Sequence, residues 1–140
     1  MIPTYSEYYI VFKSGEHWLS RFMKQDCSHI TIWVRDRFQW LKLDPQVSKL
    51  TWEITAIRAE EQKPWLHDRA TGHERVIYIR TGTLSNFFGI FNLGTCVSVA
   101  KYIIGVKVMA WTPWQLYKKL AKLSELEKSY FNVFELRTIK

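Results

Sequence analysis

Hydrophobic and polar residues alternate along several short stretches of the chain, a period-two pattern typical of strands with one buried face. Such stretches at residues 7–12, 50–57 and 75–80 each predict a strand. Residues 28–34 and 39–44 form two further alternating runs, separated by a short polar turn. We interpret these two runs as a β-hairpin.

The register of this hairpin follows from its turn, which is predicted at Asp36 and Arg37. One face is then apolar and should belong to the core: Ile30, Ile32, Val34, Leu41 and Leu43. The other face pairs Trp33 with Trp40, Thr31 with Lys42, and His29 with Asp44. Because cross-strand neighbours lie about 4.5–5.5 Å apart at Cβ, His29 and Asp44 are predicted to be within reach of each other. A longer turn centred on the same two residues preserves this pairing, whereas a shift of one residue in the register breaks it.

A helix is predicted to begin at Pro113. Thr112 is the expected N-cap, and Gln115 completes a capping box with it. Leucines recur along one stripe of this helix, at positions 116, 120, 123 and 126. That stripe predicts a face directed to the core or to a partner rather than a cofactor site.

Three other segments have simpler interpretations. Residues 16–24 have the spacing of a short amphipathic helix, and the polar stretch 60–74 is predicted to be a surface loop or an irregular connection. Residues 130–136 fit either a terminal strand or the end of the preceding helix.

Cys96 stands where another short helix is predicted to begin, with Thr95 as its N-cap and Gly105 as its C-cap. Unpaired backbone N–H groups and the positive end of the helix dipole lower the pKa of a thiol placed there. Cys96 is therefore a candidate nucleophile, with His29 as its base. Asp44 would fix the tautomer of His29 and stabilise its charged form.

Other interpretations of Cys96 remain open. A lone cysteine is commonly a small buried hydrophobic residue. Cys27 shares a face with His29 if the strand already runs there, so a disulfide between Cys27 and Cys96 is an alternative in an oxidising compartment. A metal site from Cys27, His29 and Cys96 lacks the paired spacing of zinc motifs, and we expect neither metal nor cofactor. The remaining histidines are predicted to lie on the surface: His17, His67 and His73.

Composition indicates one domain over residues 1–140, with 47% hydrophobic residues and enough chain to bury a core. The 16% aromatic content favours a dense core over a stacking surface. The net charge of +7 suits a polyanionic neighbour such as nucleic acid, although no nucleic-acid-binding signature is present and an ordinary solvated surface explains it equally.

Two patterns bear on a membrane span and on a secretory signal. No apolar run approaches the roughly 18 residues of a membrane span, and the first residues lack a basic-then-apolar signal pattern. We therefore expect no membrane span and a protein that is cytoplasmic when made, with packaging into a virion left open.

The order of these motifs resembles that of circularly permuted papain-like proteins, relatives of the cell-wall cysteine endopeptidases and amidases. The likeness rests on the hairpin from His29 to Asp44-Pro45, on Gly94-Thr-Cys96-Val-Ser-Val-Ala-Lys-Tyr-Ile-Ile-Gly-Val106, and on Trp111-Thr-Pro-Trp-Gln-Leu-Tyr117. In unpermuted members the cysteine helix precedes the histidine strand, whereas here the histidine comes first. The resemblance is greatest to small phage and prophage proteins and covers residues 16–45 and 87–122.

This resemblance implies an α+β fold, in which an antiparallel sheet carries the histidine and the cysteine helix packs on that sheet. It places Cys96 as nucleophile, His29 as base and Asp44 as the third polar residue. Family members often have Asn directly before the cysteine, where this chain has Thr95. The backbone N–H of Cys96 is then the expected oxyanion donor, with Asn92 as a helper.

Two classes of function follow from the resemblance. The first is a thiol hydrolase that acts on a peptide or a peptidoglycan-type amide. The second is a non-catalytic phage virion or assembly component, which would use its basic, aromatic surface to contact other phage structural proteins or DNA.

Overall fold

The computed structural model describes residues 6–14, 27–35, 38–45, 50–68, 72–81, 97, 100, 109–125 and 133–139. In chain order the elements are β1 (Ser6–Lys13), β2 (His29–Arg35), β3 (Gln39–Pro45), β4 (Leu50–Arg58), a 3-10 helix (Pro64–Asp68), β5 (Arg75–Thr81), α1 (Pro113–Glu125) and β6 (Val133–Ile139). Val97 and Ala100 are also helical. The predicted helix over 16–24 lies outside the described residues.

Within the described part of the chain, the strands form a six-stranded sheet with the order β4-β3-β2-β1-β5-β6. Every neighbouring pair is antiparallel. The mixed α+β class is therefore confirmed. The C-terminal segment, for which the sequence left two alternatives, is a strand that pairs with β5.

The first face of the sheet, defined by Ile10, Ile32 and Ile77, carries the larger hydrophobic core. These residues are fully buried because α1 covers them with Leu116 and Leu120. Val97 and Ala100 are buried in the same core. The leucine stripe of α1 is thus a core face where the structure describes it.

The second face, defined by Tyr9, Trp33 and Tyr78, carries a separate aromatic core. The connection after β4 covers this face, and Trp65 of its 3-10 helix is buried there. Side chains on the face donate to backbone carbonyls of the connection, as in the 2.9 Å bond from Trp40 Nε1 to the oxygen of Glu61. Most described residues of 60–74 are exposed, as predicted for a surface loop or irregular connection, whereas Trp65 is buried because its apolar ring packs on the second face.

The hairpin β2–β3 exists, but its register differs from the prediction by two residues. The observed pairs are Ile32–Leu43, Trp33–Lys42, Val34–Leu41 and Arg35–Trp40, so Trp33 does not face Trp40. Four residues, 36 to 39, separate the last pair instead of two, because Asp-Arg does not favour the tight primed turn of a two-residue hairpin.

A slip of two residues leaves every side chain on its predicted face, since strand orientation repeats every two residues. Ile30, Ile32, Val34 and Leu43 are buried on the first face, as predicted, whereas Leu41 is half-buried. Helix α1 begins where the capping box predicts. The backbone N–H of Gln115 donates to Oγ1 of Thr112 at 3.2 Å, and Oε1 of Gln115 accepts from the backbone N–H of Thr112 at 3.4 Å.

Candidate active site

Polar side chains collect at one end of the sheet, on its second face. Strand β1 ends at Lys13, which pairs with His29 at the start of β2. Strand β3 brings Asp44 to the same end, one residue before it finishes at Pro45. Proline has no N–H to continue a ladder, and it stands at the strand end where this loss is tolerated.

His29 and Asp44 form a direct pair at this end. Nε2 of His29 lies 2.6 Å from Oδ1 of Asp44, and the two side chains are 20% and 27% exposed. In the observed register His29 is diagonal to Asp44 rather than opposite it, and their side chains span that diagonal. The prediction that these residues meet on one face is therefore confirmed, although the predicted pairing that led to it was wrong.

The hydrogen bond from His29 lowers the pKa of Asp44, which outweighs the opposing effect of burial. Charges on His29, Lys13 and Lys42 act in the same direction. Asp44 is thus an ionised acceptor, and Nε2 of His29 is the donor. This arrangement orients the ring through Nε2.

Asp68, the last residue of the 3-10 helix, binds Lys13 and Lys42 on the same face of the sheet. Its carboxylate is almost fully buried and lies 2.6 Å from Nζ of Lys13 and 3.2 Å from Nζ of Lys42. The hydroxyl of Thr31 donates to its other oxygen. Burial alone would raise the pKa of Asp68, but the bonds from Lys13 and Thr31 prevail and lower it.

The sequence analysis missed Asp68 because it lies in a stretch dominated by charge and interrupted by proline. A usable signal was present nearby. Trp65 stands three residues before Asp68, and a tryptophan in a polar stretch favours contact with a core. A carboxylate one helical turn away from a buried tryptophan is then a natural partner for lysines at a strand end.

Cys96, the predicted nucleophile, lies outside the described residues, as do Thr95, Asn92 and Gly105. Its neighbour Val97 is helical and packs in the core of the first face. The side chains of His29 and Asp44 belong to the second face.

Cys27 does not join the polar group. The chain bends at Cys27 and Ser28, and β2 begins only at His29. The condition for Cys27 and His29 to share a face is therefore not met, and Cys27 is buried in the first-face core. Cys27 is not part of a disulfide, so the alternative of a Cys27–Cys96 bond is not realised.

The other predictions concern the remaining histidines, a metal site and a membrane span. His67 and His73 are exposed, as predicted, and His17 lies outside the described residues. Among the described side chains, no group of three or more acidic, histidine or cysteine residues is placed to hold a metal ion. None of the helices in the described ranges has the length and apolar character that a bilayer crossing requires.

The chain was compared with protein-family models, with curated proteins and with solved structures. None of these matches it.

Proposed function

We propose that the protein is a thiol hydrolase of the permuted papain-like type, which cleaves an amide bond in a peptide or a peptidoglycan-type polymer. The observation that carries the proposal is the 2.6 Å contact between His29 and Asp44. A partly open imidazole oriented by an ionised carboxylate is the base and orienter of a cysteine triad.

In the proposed reaction, Nδ1 of His29 takes the proton from the Cys96 thiol, and Sγ attacks the carbonyl carbon of the amide. The backbone N–H of Cys96 stabilises the oxyanion. His29 then gives its proton to the leaving amine, and the C–N bond breaks to leave a thioester. Water, deprotonated by His29, hydrolyses the thioester and releases the acid and the free thiol.

The position of the pair supports access from the cysteine helix. His29 is the first residue of β2, so it lies at the end of the sheet rather than in the middle of a covered face. In the proposal, the side chain of Cys96 reaches the pair around this end of the sheet. Lys13 and Lys42 are paired with Asp68 at this end, so a protonated His29 is the positive group that would favour a thiolate.

A peptidyl electrophile that mimics an amide and traps thiolates tests this proposal, with adducts located by mass spectrometry. We expect one adduct, on Cys96, and none on buried Cys27. His29→Ala should slow adduct formation by at least tenfold, and Asp44→Asn should slow it less. His73→Ala is the matched control, because it removes an exposed histidine that is not part of the pair.

The proposal fails if Cys96 forms no adduct in the folded protein, or if His29→Ala and His73→Ala react at the same rate. Circular dichroism establishes that each variant is folded. A Cys96→Ser variant identifies adducts formed elsewhere.

One observation favours a second candidate, a non-catalytic virion or assembly component with the same fold. Val97 and Ala100 pack on the first face, whereas the His29–Asp44 pair lies on the second. In this candidate the pair and Asp68 stabilise the end of the sheet, and Cys96 is a packing residue. An unreactive Cys96 in a folded protein, together with loss of stability in Asp44→Asn, supports it over the hydrolase.

A further inference from the structure

The two sides of helix α1 differ in burial and in charge. Leu116 and Leu120 are fully buried against the sheet. The opposite side exposes Lys118, Lys119 and Lys122, and the first turn of the helix contains no acidic residue. The exposed side is therefore strongly positive over most of its length, with Glu125 as the acidic residue at its end.

An aromatic side chain extends this positive side beyond the start of the helix. Trp111 is 78% exposed, although its ring is large and apolar. Its backbone is held in place, because its N–H donates to Oε1 of Gln115 at 2.8 Å. Gln115, Lys118 and Lys122 are spaced by three and four residues, so they lie along one side of the helix. Trp111 precedes the helix, and its backbone bond to Gln115 places the exposed indole near the N-terminal end of that side.

Cations also surround the next tryptophan. The guanidinium carbon of Arg75 lies 4.8 Å from the ring centre of Trp114, and Nζ of Lys118 lies 5.6 Å from it. This part of the surface therefore alternates aromatic rings and positive groups. The net charge of +7 on the whole chain acts in the same direction.

We infer that this surface, made of Trp111, Lys118, Lys119 and Lys122, binds single-stranded nucleic acid. An exposed ring stacks on an unpaired base, and lysines spaced along a helix contact the phosphates of the same strand. A duplex offers the lysines its phosphates but offers the indole no unpaired base. This inference is independent of the hydrolase proposal, since it uses none of the residues of the His29 pair.

The same surface fits an anionic membrane less well. A helix that lies in a membrane interface inserts its apolar side among the lipids. The apolar side of α1 is buried in the core, which leaves only Met109 and Trp111 as large exposed apolar residues at this place in the described chain. The positive charge therefore has no apolar partner face along the helix.

Fluorescence anisotropy of a labelled oligothymidylate of about 12 nucleotides tests the inference on the full chain. We expect binding that weakens as salt rises from about 50 to about 200 mM. Trp111→Ala should weaken binding about tenfold without changing the salt dependence, and Trp111→Phe should restore most of it. Changing the three lysines to Gln should reduce the slope of log K against log salt by about 2.

Matched controls use features of the same type elsewhere on the surface. Phe38→Ala removes a ring that is 74% exposed, and Lys63→Gln removes an exposed charge. Neither variant should change binding. Thermal unfolding followed by circular dichroism shows that the variants remain folded, and Trp111→Phe keeps the test valid if Trp111→Ala does not fold.

Several results would overturn the inference. One is no binding at about 50 mM salt, and another is equal loss of binding in Phe38→Ala and Trp111→Ala. Equal affinity for an abasic sugar–phosphate strand would show that the indole does not stack on bases. Binding to phosphatidylserine vesicles without binding to the oligonucleotide would assign the surface to membranes instead.

Discussion

Asp68 holds Lys13 across 55 residues of sequence, with 2.6 Å between Oδ1 and Nζ. Lys13 is the last residue of β1, and Asp68 is the last residue of the 3-10 helix. Their contact therefore holds the connection after β4 against the second face of the sheet. Lys42 and Thr31 bind the same carboxylate. Through these residues one buried acid joins three strands to the segment that covers them.

Asp68→Asn should destabilise the protein by about 3 kcal/mol, because it leaves two lysines beside an uncharged, buried group. The amide oxygen of the new Asn can still accept from Thr31. The loss of stability therefore reports the removal of the negative charge. Urea unfolding measures the change, with exposed Glu60→Gln as the control for loss of an acidic residue. Equal stability of the two variants would show that the lysines are solvated without Asp68.

The stability of the protein should also depend on pH in the acid range. Asp44 and Asp68 both have pKa values below the ordinary 3.8, because His29 binds the first, and because Lys13 and Thr31 outweigh burial at the second. The unfolded chain therefore binds more protons than the folded chain as pH falls. The contribution of both residues is complete above about pH 5 and is lost as pH falls through the lowered folded values.

Unfolding free energies measured by urea at several acidic pH values test this dependence. The double variant with Asp44→Asn and Asp68→Asn should show a flatter decline with pH than the unmodified protein. Parallel curves would show that other carboxylates cause the acid sensitivity.

The sequence predicted the faces of the hairpin better than its register. Alternation of apolar and polar residues decides which side of the sheet Ile32 and His29 occupy, and this depends only on whether positions are odd or even. Register depends on turn geometry, and Asp36-Arg37 carries no strong signal for it. A slip of two residues therefore changed the partners but kept His29 and Asp44 on one face.

Contacts between residues that are far apart in the sequence could not be predicted from it. The polar stretch with Asp68 has no periodicity, so nothing local ties it to Lys13 or Thr31. Its position follows from burial of Trp65 on the second face, which requires the whole sheet to exist first. The cap of α1 was predictable because Thr112 and Gln115 interact within one turn.

Thr112→Ala should cost about 1 kcal/mol of unfolding free energy, because Gln115 loses the acceptor for its backbone N–H. Lys119→Ala is the control, since it changes an exposed residue of the same helix. Chemical unfolding of both variants gives the comparison. A loss of less than a few tenths for Thr112→Ala would mean that the cap contributes nothing in solution.

The loss of unfolding free energy when a leucine of α1 is changed to alanine should increase with the burial of that leucine. Leu116→Ala and Leu120→Ala should each cost about 3 kcal/mol, because both side chains are fully inaccessible. Leu123→Ala should cost less, since Leu123 is only partly buried against the same core. Equal losses at the three positions would show that the end of the helix is as tightly packed as its centre.

The final prediction concerns the reactivity of the two cysteines. Cys27 is fully buried and should react with iodoacetamide only after unfolding. If Cys96 begins a helix beside His29, it should react in the folded protein at about pH 6.5, where an ordinary thiol is almost wholly protonated. The cause would be the helix N-terminus together with the positive charge of His29.

His29→Ala should therefore slow labelling of Cys96 near neutral pH, and Asp44→Ala should slow it less, because Asp44 acts only through the imidazole. Quantitative mass spectrometry of each cysteine across pH gives both rates in one experiment. Raising the pH to about 9 should remove the difference between His29→Ala and the unmodified protein, since an unassisted thiol then ionises. Labelling of Cys96 at the rate of Cys27, indifferent to His29, would exclude the hydrolase and favour the virion or assembly component.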